Sequence, residues 1–288
     1  MKKHNKRVHI KQGESKKEIN KYGLTRIIPP DVKLEVRKRC GFGCVICGSG
    51  LFQYEHFDPP FFDCNEHNPT GITLLCGGCH DKKTRGHLAV NTIKRANSNP
   101  RANIRGFSNG EFDIGEECPS VYLGSFMIHN TENIIRFHGE DILSISQPES
   151  EDGPYLLSGR IRDSKGKIIF EIEKNEWKSF KGNWDANVVG QTFTIRSKKY
   201  KVEMKFTVQP PNLVRVERLN MFHRGYQFNC SDNLFQIIGP NNWRFNSYNA
   251  TMRNCGTAIE IYENGDVGIG QNGGELYLGN VEIISGHP

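Results

Sequence analysis

A chain of 288 residues, 36% hydrophobic and 24% charged, has the length of two ordinary domains, each able to bury a core, and no apolar run reaches the ~18 residues of a membrane-spanning helix. Its nine cysteines, behind a basic N-terminus without the apolar stretch of a secretory signal, fit a cytoplasmic location, where reducing conditions favour metal-binding or catalytic thiols over disulfides. The net charge of +6 is uneven: residues 1–105 hold 20 Lys and Arg against 9 Asp and Glu, and the rest hold 18 against 23, so the first third carries a field that attracts polyanions such as nucleic acid.

Residues 1–28 show no hydrophobic period and read as a basic flexible arm. Pro29 and Pro30 then stop anything extended, and Asp31 stands where it can cap a short helix carrying Val32, Val36, Arg37 and Arg39. Residues 40–86 are dense in Cys, His, Gly and Pro, the composition of a small domain held by metal. Within it, Cys44-Val-Ile-Cys47 and Cys76-Gly-Gly-Cys79 are separated by 28 residues. Two such turns can close a tetrahedral thiolate shell around Zn²⁺. An iron–sulfur cluster shares the spacing, whereas a redox pair would stand alone near a βαβ pattern. Cys40 and Cys64 are left as free thiols.

Between the pairs, residues 51–57 read as a strand in which Glu55 and His56 leave opposite faces, with Asp58-Pro59-Pro60 bending the chain next. A short basic helix is expected over 90–96, ended near Asn99 and Pro100. After a linker over 106–119, residues 120–288 alternate in strand-like runs, with a hairpin signal at Asp163-Ser164-Lys165-Gly166. This half reads as a mainly antiparallel β-sandwich or barrel. Its Trp177, Trp184, Trp243, Phe180 and Phe245 serve either as core anchors or as a stacking patch for bases.

The strings CVIC, YEHFDPP and ITLLCGGCHDKKT stand in this order, and with them residues 29–97 resemble an HNH endonuclease. The resemblance implies an α+β chain, a ββα-metal nuclease domain over 29–105 followed by the β unit, that hydrolyses DNA phosphodiester bonds. It makes His56 the general base. Glu55, where the family more often has Asp, and His80 become ligands of a catalytic divalent ion, Mg²⁺ or another, and Cys44, Cys47, Cys76 and Cys79 hold structural zinc. Lys83 and Arg85 would contact DNA, with Arg37 and Arg39 as further contacts. The family's Asn falls on Gly71, so Asn68 or His67 is expected to replace it, His67 also as a metal ligand. A nuclease fused to a β module suits a bacterial restriction or antiphage effector that an activating ligand or protein partner controls or targets. A homo-oligomer is compatible with this arrangement, and no membrane is expected. The competing expectation is a catalytically decayed, zinc-stabilised DNA-binding or scaffold protein.

Overall fold

The computed structural model describes residues 19–284, and the first eighteen residues of the basic arm lie outside them. The N-terminal unit contains helices α1 (Pro30–Arg39), α2 (Gly77–Thr84), α3 (Val90–Ser98) and α4 (Arg101–Arg105), and strands β1 (Gln53–His56) and β2 (Ile72–Leu75). The two strands pair antiparallel with Glu55 opposite Thr73 and His56 opposite Ile72. Ile28, Val36, Val45, Phe57, Ile72, Leu74, Leu75 and Ile93 bury a small core around them. α3 occupies the expected place. Asp31 sits in the first turn of α1 without capping it through its side chain, and Pro29 takes the cap position.

The remaining strands are β3 (Phe107–Glu111), β4 (Ser120–Leu123), β5 (Phe126–His129), β6 (Asn133–Phe137), β7 (Glu140–Ser146) and β8 (Leu156–Arg162). They continue with β9 (Ile168–Glu173), β10 (Glu176–Phe180), β11 (Asp185–Val189), β12 (Thr192–Lys198), β13 (Lys201–Gln209) and β14 (Leu213–His223). The last six are β15 (Tyr226–Ser231), β16 (Leu234–Ile238), β17 (Arg244–Arg253), β18 (Thr257–Ile261), β19 (Val267–Gln271) and β20 (Glu275–Ile284). One sheet runs β19-β18-β6-β7-β8-β9-β10-β3. The other runs β11-β12-β13-β14 and ends β17-β20; between β14 and β17 the hairpins β4–β5 and β15–β16 fit end to end. Their tips meet at Gly124, whose φ is +58° and where a Cβ would stand 2.2 Å from the Ser231 carbonyl oxygen. Only glycine fits there.

Alternating burial along β13 and β14 gives each strand one apolar face, and the two sheets bury these faces against each other as a sandwich. Phe170 and Trp177 from the first sheet meet Phe193 from the second at 5.4 and 4.5 Å between ring centroids. Trp177 and Phe245 are buried core residues, Trp184 lies under the Lys38 ammonium, and Phe180 packs on Phe107, so these aromatics are dispersed and form no stacking patch. The expected hairpin turn lies between β8 and β9, closed by the Asp163 carboxylate, which accepts from the Lys165 and Lys167 amides.

Two expected boundaries change. The segment 106–119 is not a free linker: β3 pairs with β10 along the sheet edge, and Phe112 and Ile114 are buried in the sandwich core. The arm is not loose throughout 1–28 either. Asn20 donates to the Phe61 and Cys64 carbonyls at 2.7 and 2.6 Å, and Lys21 pairs with Asp63, so residues 19–28 lie docked against the loop that follows β1.

The two units are joined by a buried ion pair. Arg37 on α1 forks onto Asp185 at the start of β11, Nε to Oδ1 at 2.8 Å and Nη2 to Oδ2 at 2.9 Å, and its Nη1 donates to Tyr54 at 2.6 Å. Its expected role as a DNA contact is thereby corrected, because the guanidinium is 10% exposed and its donors are engaged. Arg37→Ala leaves the 5%-exposed Asp185 carboxylate with Arg196 alone, at 3.5 Å, and loss of one partner of such a buried pair costs up to about 3–5 kcal/mol. Chemical denaturation of both proteins checks this; a loss below about 1 kcal/mol would show the pair is dispensable.

Candidate active site

The four cysteines of the two CxxC turns come together. The sulfurs of Cys44, Cys47, Cys76 and Cys79 all lie within 4.8 Å of one another, and Cys47 and Cys76 stand 3.6 Å apart. A tetrahedral site with bonds of ~2.3 Å needs sulfur spacings of ~3.8 Å, so the cluster fits a metal such as zinc. Among the described residues it is the only group of three or more Cys, His, Asp or Glu so arranged. The thiols press on each other: a hydrogen bond from Cys47 draws Cys44 down to about 5, while Cys47 is pushed up, and burial beside the Cys44 charge lifts Cys79 to about 12. Cys40 and Cys64 stay outside as buried thiols.

The metal knuckle also starts a helix. Cys76 is the N-cap of α2, its sulfur accepting from the Cys79 amide, and the next residue in line is His80. Lys83 follows three positions later on the same helix face. Both reach across to Glu55 on β1: His80 Nε2 is 3.0 Å from Oε2 and Lys83 Nζ is 2.6 Å from Oε1. Glu55 and His80 therefore meet in space. Lys83, expected on DNA, instead engages the carboxylate, since the i to i+3 spacing places its amine beside the same buried acid.

His56, one residue on, turns away from α2 toward the loop after β1. Its Nε2 lies 3.0 Å from His67 Nδ1, and its ring packs edge-on against Phe61 at 5.4 Å. Burial, then the neighbouring His67, lower its pKa to about 4 against a smaller opposite effect of the Glu55 charge. The imidazole is neutral at ordinary pH. His67 contacts the Thr25 carbonyl oxygen through Nε2 at 2.9 Å, so both its ring nitrogens are taken up away from the Glu55–His80 pair, and its expected role as a metal ligand is corrected. Asn68 does not enter the site. Its Oδ1 accepts from the Thr70 amide and hydroxyl and caps the turn Pro69–Gly71, because an Asn before a Pro-containing turn satisfies local backbone first.

Gly71, which stands where the family has Asn, has its own structural reason. Its carbonyl accepts from the Phe57 and Asp58 amides at 3.0 and 3.4 Å, so backbone ties this loop to β1 without a side chain. A Cβ at Gly71 would lie 2.4 Å from the Asp58 carbonyl oxygen. Gly71→Ala is expected to cost about 1–3 kcal/mol through that overlap, read as a lowered melting midpoint; an unchanged midpoint would show that the loop yields freely.

Arg39 is likewise not a phosphate contact. It donates to the Pro69 carbonyl at 2.6 Å and to the Ile72 carbonyl, pinning the same loop from α1. Arg85 is the exposed cation of the set, paired among the described residues with Asp81 one helical turn back. The sequence had given no signal for Thr25 and Asn20, which join the site's loop from the arm; one Asn in a polar segment looks like any other. No helix among the described residues is long and apolar enough to cross a membrane. Comparison of the chain with family models, curated proteins and solved structures finds no match.

Proposed function

We propose that this chain is a metal-dependent endonuclease of the HNH type that hydrolyses DNA phosphodiester bonds, with zinc in the four-cysteine cluster. The observation that carries this reading is that two consecutive residues of β1 turn to different partners: Glu55 meets His80 at 3.0 Å, while His56 turns to His67 as a neutral imidazole. Glu55 and His80, 3.0 Å apart, would be the residues that hold a divalent ion there. Bound there, a divalent ion would offset the charge developing on the phosphate. His56 takes the proton from the attacking water. Arg85, exposed at the C-cap of α2, supplies positive charge for the flanking phosphates.

The β unit then targets the nuclease. The Arg37–Asp185 fork and the packing of Gly50 against the Trp177 ring favour a fixed platform over a cover that swings away, and an effector of the restriction or antiphage kind needs such a platform to choose its substrate. One observation favours a second reading, a decayed nuclease that only binds DNA or scaffolds: the Lys83 ammonium already neutralises Glu55. Nicking of supercoiled plasmid with Mg²⁺, Mn²⁺ or chelator separates the two. Cation-dependent nicking supports the enzyme; DNA binding without nicking under every cation supports the second reading.

A further inference from the structure

We infer that His67 is a positioning residue for His56 and that the docked residues 19–28 belong to the active site, because the Thr25 carbonyl, His67 and His56 form one directed hydrogen-bond chain. This rests on the nuclease reading above. A carbonyl oxygen can only accept, so His67 Nε2, 2.9 Å from the Thr25 oxygen, carries a proton. In its neutral form His67 then has a lone pair on Nδ1. His56 Nε2, 3.0 Å away, must donate to it. His56 is thereby held as the Nε2–H tautomer, and its Nδ1 keeps the lone pair that a base requires. A third group that fixes tautomer and ring orientation of a histidine base is a recurring catalytic device. Here a second histidine fills that role, and a backbone carbonyl anchors it in turn.

The anchor is itself held. Asn20, 6% exposed, donates to the Phe61 and Cys64 carbonyls and accepts from the Tyr22 and Leu24 amides at 3.0 Å. It locks the arm's turn onto the loop that carries His67, so Thr25 arrives at a fixed place. The Arg26 guanidinium covers the Phe61 ring at 4.6 Å, and Phe61 in turn backs His56.

The test uses the full chain with ¹⁵N-labelled histidine, the His56 tautomer read from two-bond ¹H–¹⁵N correlations, and nicking measured in parallel. In the wild type His56 shows a single Nε2–H tautomer. His67→Phe, which keeps a ring but no acceptor, yields a tautomer mixture and about 10²-fold slower nicking at unchanged zinc content. His67→Asn, whose Oδ1 replaces the Nδ1 acceptor, regains about tenfold of that loss and restores the tautomer. Should His67→Phe lose zinc and structure, Asn20→Ala gives the same readout, a tautomer mixture from a loosened anchor. An Nδ1–H tautomer in the wild type overturns the proposal, as does a folded His67→Phe chain that keeps both tautomer and rate. If the wild type cuts under no cation, the nuclease reading fails, while the tautomer comparison still decides the hydrogen-bond chain.

Discussion

His56→Ala lowers cation-dependent nicking by about 10²–10⁴-fold, the contribution of a positioned general base, and leaves the affinity for DNA and the zinc content close to the wild type. The effect is large because the imidazole acts as the proton moves. A group engaged in the transition state changes the rate constant of the chemical step and contributes little to ground-state binding. His56 also suits isolation as a single variable. It lies at the end of β1, remote in its contacts from the cysteine cluster, with Phe61 and His67 as its partners. The measurement is a single-turnover nicking rate beside a binding isotherm and a metal assay on the same preparation. A variant that nicks within about tenfold of the wild type sinks the assignment of His56 as the base, and a variant that loses DNA affinity in step with rate would mark the residue as a binding contact.

Cys44→Ser and Cys79→Ser each release about one metal ion per chain and unfold residues 30–100, because a structural zinc site contributes on the order of 10–16 kcal/mol of binding energy to a unit with little core of its own. That core is small beside the sandwich: Ile28, Val36, Val45, Phe57 and Ile72 to Leu75 with Ile93 make up most of it. The expected loss is therefore local. Hydrogen exchange should rise across β1, β2 and α2 while the strands from β6 to β18, which bury their own faces, keep their protection. Nicking falls with the structure, since Cys76 and Cys79 start the helix that carries His80. Metal content by mass spectrometry and exchange mapping check both parts. Unchanged metal and protection in the serine variants would remove the cluster as the organising element of this unit.

Sequence alone determined the features that depend on short spacing. Two CxxC turns marked the four clustered sulfurs that fit a metal, the basic run before Asn99-Pro100 marked α3, and period-two alternation with a turn at Asp163 to Gly166 marked the β unit. Glu55 and His80 were legible through the order of the motifs around them. The positions decided by tertiary structure are those whose partners lie far along the chain. Arg37 looked like a surface cation on a basic helix until Asp185, 148 residues away, took its guanidinium; Arg39 spends its donors on a loop thirty residues on. His67 and Asn68 stood side by side as equal candidates, yet one closes a turn and the other joins Thr25, 42 residues earlier, to His56. Residues 19–28 and 106–119 carry no strong period, so their docking was invisible locally. Local chemistry shows which donors and acceptors a residue carries, but burial and distant neighbours decide where each is spent.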